Sequence, residues 1–118
     1  MEKIIGRFGL FLGFFVFACL SGCSTKTIYY WGEYEKLIYT QYSNPSEAPP
    51  EMQIQTLEAD IQKAKSAGKP LPPGFYAHLG YQYLLLGKRT AAKNSFIAEK
   101  TRFPESAVLM DRLISKIK

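Results

Sequence analysis

Apolar side chains recur with helical spacing along most of the chain. In residues 51–67, Ile54, Leu57, Ile61 and Ala64 fall at i, i+3, i+7 and i+10, one stripe of a helix, and Gly68 followed by Pro70 supplies the stop. Residues 28–42 are rich in aromatic rings (Tyr29, Tyr30, Trp31, Tyr34, Tyr39, Tyr42). There Trp31, Tyr34 and Ile38 are spaced as the stripe of an earlier helix, with Glu33 and Glu35 near its start, where the helix dipole favours negative charge. The stretch between these two patterns, residues 43–50, has three prolines and no periodicity, which predicts a loop. Residues 69–74 predict a second, rigid connector. From Phe75 two further helical patterns follow, separated at Gly87, and residues 104–117 predict a last helix. That helix has Met110, Ile114 and Ile117 in one stripe and Leu109 and Leu113 beside it. The fold class implied is all-α, about five short helices arranged as antiparallel hairpins. The first 22 residues are of another kind. Lys3 and Arg7 precede a 13-residue apolar run, residues 8–20, too short for the roughly 20 residues of a spanning helix but suited to a signal segment.

Three resemblances give these patterns names. The apolar run ends in Leu20-Ser21-Gly22-Cys23, which resembles the lipobox of bacterial lipoproteins. That likeness implies cleavage before Cys23, lipidation of its thiol, and, with Ser24 rather than Asp next in sequence, sorting to the outer membrane. More than one acyl chain on Cys23 would give stable attachment, where a single chain gives only marginal binding. The second resemblance runs through Tyr76, Leu79, Gly80, Tyr83, Ala92, Phe96 and Pro104, which are spaced as in a tetratricopeptide unit of about 34 residues. With Pro73 as position 1 they occupy positions 4, 7, 8, 11, 20, 24 and 32, and the best repeat is residues 73–106. Glu99 departs from it, standing at position 27 where the repeat has a small residue. A degenerate first unit is expected upstream, with Trp31, Tyr34 and Ile38 at positions 4, 7 and 11, and Leu57, Ile61 and Ala64 at positions 20, 24 and 27. Third, a lipobox, a short tether, the stretch Tyr29-Tyr30-Trp31-Gly32-Glu33-Tyr34-Glu35-Lys36-Leu37-Ile38-Tyr39 and one good repeat together resemble a family of small proteobacterial lipoproteins of unknown function. Its members are often encoded beside a lipoprotein similar to the curli secretion channel, which implies membership in an envelope assembly. The domains expected are therefore a signal peptide (1–22), a lipidated N-terminus and tether (23–30) and a helical domain (31–118).

Charge and chemistry narrow the picture. Fifteen Lys and Arg against ten Asp and Glu leave a net charge of +5, a mild excess below that of a nucleic-acid binder. The cations concentrate late: residues 86–118 hold Lys88, Arg89, Lys93, Lys100, Arg102, Arg112, Lys116 and Lys118 against Glu99, Glu105 and Asp111. A solvated face, contact with anionic lipid, or contact with an acidic partner each accounts for this. Cleavage would discard Cys19 and lipidation would consume Cys23, leaving no free thiol, so with one histidine, His78, no metal or cofactor is expected. His78 is expected on a helix surface, and Glu58 and Asp60 are expected to be solvated. No phosphate loop or nucleophile elbow occurs, so the chain is not expected to be an enzyme.

The candidate partner-binding residues are Trp31 and Tyr34, which serve equally as core contacts, together with Tyr81, Leu84 and Leu85. By resemblance to the repeat, Tyr81 and Leu84 at positions 9 and 12 would face the groove, with Leu85 beside them. The reading is a membrane-anchored adaptor for another envelope lipoprotein or periplasmic protein. Its alternative is a structural subunit of a secretion-channel-like complex that binds no peptide. The tether, about eight residues or at most roughly 28 Å, would keep the domain close to the bilayer.

Overall fold

A computed structural model describes residues 22, 23 and 26–118. The expected signal segment, Gly22 apart, lies outside the described residues. Within them the chain is all-helical: α1 (Tyr34–Ser43), α2 (Pro50–Ala67), α3 (Phe75–Leu85), α4 (Arg89–Arg102) and α5 (Ala107–Ser115), with single 3-10 turns at Pro45–Glu47 and Pro104–Ser106. No helix among the described residues is long and apolar enough to cross a membrane.

Local chemistry sets the helix ends. Pro50 opens α2, where a missing N–H costs nothing, and Glu51 follows in the first turn. At the other end the N–H groups of Gly68 and Lys69 donate to the carbonyls of Lys65 and Ala64, each at 3.1 Å, closing a Schellman motif. The same motif closes α3, with Gly87 N–H on Leu84 and Lys88 N–H on Tyr83, and reverses the chain into α4.

α3 and α4 form a helical hairpin within residues 73–106, the stretch where the sequence resembles a tetratricopeptide unit. A Cβ on Gly80 would stand 2.6 Å from Phe96 Cε1, so only glycine lets α4 come this close. Leu79, Ala92 and Phe96 are buried along that seam. Two apolar clusters flank it. One joins Leu37, Ile54, Leu57, Ala64, Leu71, Phe75 and Leu79. The other joins Ala92, Phe96 and Met110, with Leu84, Leu113, Ile114 and Ile117 against them. Tyr83 packs on both, and its hydroxyl donates to the Glu58 carboxylate of α2.

The first unit departs from its expected register. Trp31 precedes α1 rather than lying in it, and Leu37, not Ile38, is the buried residue of that helix. On α2 the buried side chains include Gln53, Leu57 and Asp60, spaced i, i+4, i+7 as are Ala92, Phe96 and Glu99 on α4. Gln53, Leu57 and Asp60 therefore take positions 20, 24 and 27, while Tyr34 and Leu37 take positions 4 and 7. The apolar stripe by itself pointed to Leu57, Ile61 and Ala64, because polar Gln53 and Asp60 do not register as core in a hydrophobicity pattern. Nor does Asp60 meet solvent as expected; it is 0 % exposed. Tyr29 and Tyr30, outside the helical domain in the sequence reading, pack onto it: the Tyr30 N–H donates to Pro70 O at 2.8 Å and the Tyr29 ring lies edge-on to Phe103.

Candidate functional site

Two buried carboxylates decide how the first and third helices are set into the domain. The N-terminus of α3 leaves backbone N–H groups without helical partners. Glu99, from α4, supplies acceptors: its Oε1 takes the Gly74 N–H at 2.6 Å, and its Oε2 takes those of Tyr76 and Ala77 at 3.2 and 3.4 Å. Charge-assisted bonds at the positive end of a helix dipole offset the cost of burying the acid. The position that departed from the repeat is thus a cap delivered from the paired helix. Asp60 plays the same part for α1, with its Oδ2 accepting the Glu33 N–H at 2.8 Å. Its Oδ1 is buried without a hydrogen-bond partner, and the Lys63 ammonium stands 3.9 Å away. Each acid lies opposite a left-handed glycine, Gly32 (φ +50°) beside Asp60 and Gly74 (φ +89°) beside Glu99.

This pairing sets which side of α1 looks outward. Tyr34 turns inward: its ring lies 5.4 Å from Phe75 and edge-on to His78 at 5.9 Å, with Trp31 stacked on it at 6.4 Å. Burial, then the Glu99 charge and Tyr42, push the Tyr34 hydroxyl above its ordinary pKa. Trp31 and Tyr34 therefore act mainly as the aromatic wall that seats α1. Outward stand Tyr39 and Tyr42, 74 % and 80 % exposed, and with Tyr34, Glu35, Ile38 and Ser43 they line an open hollow of about 790 Å³. On α3, Tyr81 is 47 % and Leu85 is 52 % exposed. Leu84 instead packs against the α5 cluster and borders a second hollow with Leu113, Lys116 and Ile117. Cys23 is an exposed free cysteine.

Beneath the outward face runs a polar chain. Gln82 Nε2 donates to Gln41 Oε1 at 3.0 Å, His78 Nε2 meets Gln53 Oε1 at 2.7 Å, and Gln53 Nε2 donates to the Ala48 carbonyl at 2.7 Å. His78 is half-buried among these groups rather than a free surface residue, and burial lowers its pKa to about 4. It is neutral at physiological pH, and as an Nε2–H tautomer it donates to Gln53.

In the corrected register Tyr39 and Tyr42 are the first-unit counterparts of Tyr81 and Leu84, positions 9 and 12. The aromatic stretch contains both residues, but the resemblance to the repeat marks groove positions only on the second unit. The signal was present in sequence: Gly32-x-Tyr34-x-x-Leu37 repeats as Gly74-x-Tyr76-x-x-Leu79.

The model of a domain of unknown function, DUF4810, matches residues 28–113, from the start of the aromatic stretch to the last turn of α5. The chain belongs to the DUF4810 family. No curated protein and no solved structure matches it. Both glycine–carboxylate junctions and the outward tyrosines fall inside the DUF4810 domain, whereas Cys23 lies before it.

Proposed function

We propose that this DUF4810 protein is a lipid-anchored, non-enzymatic adaptor of the bacterial envelope, whose outward α1/α3 face receives a segment of another envelope protein. The observation carrying this reading is the exposure of Tyr39, Tyr42 and Tyr81 at groove positions of two successive hairpins, with Leu85 exposed beside Leu84, which itself packs toward α5. Tyrosine serves such a surface well. Its ring offers contact area at little cost in side-chain entropy, and its hydroxyl finds a partner at the edge of the contact. A full-length protein carrying a photo-crosslinking residue at Glu35, within the hollow, is expected to give a discrete adduct in its native envelope. Tyr39→Ala with Tyr42→Ala should remove it, since truncating an interface hot spot costs about 2 kcal/mol, roughly 30-fold in Kd. An adduct unchanged by that pair would reject the face.

Anchoring is assigned to Cys23, exposed and immediately after Leu20-Ser21-Gly22, at the periplasmic face of the outer membrane. Cys23→Ala is expected to accumulate as full-length precursor that no longer incorporates labelled palmitate. Normal maturation of that variant would end the lipoprotein reading.

A stacking subunit of an envelope complex is the second reading, favoured by Val108 and Leu109 on α5, 77 % and 56 % exposed where a further helix would pack. Val108→Glu with Leu109→Glu should dissociate such a complex and leave the α1/α3 adduct intact.

A further inference from the structure

The late cations share one stretch of sequence but separate in space. Arg89, Lys116 and Lys118 line the hollow around Leu84 and Gly87, at the end of the domain where α3 closes and α4 opens. Arg102 sits at the far end of α4, about 20 Å away at 1.5 Å per residue. It is joined there by two cations from the close of α2: Lys65, Lys69 and Arg102 line one small hollow of about 120 Å³ together with Gly68, Pro70 and Tyr76. No acidic side chain lines it, and none of the three makes a salt bridge among the described residues. The Arg102 guanidinium lies over the Tyr76 ring at 4.6 Å and is still exposed.

The N-terminal segment leaves the domain at this same pole. Tyr30 is hydrogen-bonded to Pro70, the neighbour of Lys69, and Tyr29 packs on Phe103, the neighbour of Arg102, and on Trp31. Exposed Lys26 lies between these rings and Cys23. Tyr29 is six residue steps from Cys23, so a membrane holding Cys23 would lie within roughly 20 Å of the pole. Unpaired cations beside half-buried Tyr and Trp rings are the combination that settles at a headgroup layer.

We propose that this pole, Lys65, Lys69 and Arg102 with the Tyr29–Trp31 rings, docks on an anionic lipid surface and holds the domain at a set orientation beside its anchor. The inference rests on lipidation at Cys23. α1 starts at this pole and carries Tyr39 and Tyr42 in its later turns, so docking directs the partner face away from the bilayer.

Trp31 is the only tryptophan and reports from the pole itself. Mature protein lipidated at Cys23 is reconstituted into vesicles containing brominated lipid, with either phosphatidylglycerol or phosphatidylcholine as the remainder. Trp31 emission should be quenched at least twofold more in the anionic vesicles. The triple variant Lys65→Glu, Lys69→Glu, Arg102→Glu should remove that difference, and Arg89→Glu, Lys116→Glu, Lys118→Glu at the other pole should keep it. Lys65→Gln with Lys69→Gln, both exposed, reads the same effect at about half strength should the Arg102 variant misfold. Equal quenching in both lipids, persistence in the pole variants, or equal loss in the opposite-pole variant overturns the docking while flotation with the vesicles still upholds the anchor. Protein that fails to float overturns both.

Discussion

Gly32 meets two demands at once. Its φ of +50° lies where a side chain is strained, and a Cβ built there would collide with the Asp60 carboxylate that caps α1. Gly32→Ala is therefore expected to cost about 2 kcal/mol, a fall in Tm of roughly 10 °C for a domain this size. A Tm within 2 °C of wild type would show that α1 is not seated in this way. His78 makes a second residue-scale prediction. Its pKa is about 6.5 when unfolded and about 4 when folded, so across that interval the unfolded chain binds more protons. Stability should rise with pH from about 4 to 6.5 and flatten above, a slope that urea midpoints at a series of pH values would reveal. His78→Gln, which retains a donor toward Gln53, should lessen that slope; an unchanged slope assigns it to the carboxylates.

For the helices, the recurrent device is an acid on the second helix of a hairpin capping the first. Glu99 accepts three backbone N–H groups at the head of α3, and Asp60 accepts one at the head of α1. Glu99→Ala would strand buried donors, and a loss of about 2–3 kcal/mol is expected, read as a lower urea midpoint with an unchanged m-value. Glu99→Gln, which keeps one acceptor oxygen and loses the charge, should fall between the two. The polar layer of Gln41, Gln82, His78 and Gln53 adds to this pairing by binding α1 to α3 and α3 to α2 through directional contacts that an apolar stripe lacks.

Across the whole molecule, these caps separate two surfaces. One end gathers the N-terminal segment, Lys65, Lys69 and Arg102. Elsewhere α1 exposes Tyr39 and Tyr42 around an open hollow, and α3 exposes Tyr81 and Leu85. In the proposed arrangement, charge reversal at the pole should change Trp31 quenching without abolishing the Glu35 crosslink, while Tyr39→Ala with Tyr42→Ala should do the reverse. Two surfaces that failed together would instead report loss of the fold.

The sequence by itself determined where helices run and stop, since Pro50, Gly68 and Gly87 act within a turn or two of their own positions. It also determined the α3/α4 seam, because Leu79, Gly80, Ala92 and Phe96 belong to adjacent helices joined by a short turn, and their spacing carries the contact. Tertiary structure decided the rest. A stripe sets the phase of a helix, but whether Leu37 or Ile38 turns inward depends on what α1 packs against. That support comes from Asp60, on the far side of a proline-rich insertion that breaks the repeat period, and from Phe75 beyond α2. Likewise Arg89 and Arg102 belong to one basic stretch of sequence yet stand at opposite ends of α4, and Arg102 is joined by Lys65 of α2 and by Lys69 just past the end of that helix. Contacts within a turn or a hairpin are written in spacing; those spanning an insertion depend on buried polar partners that a hydrophobicity pattern does not weigh.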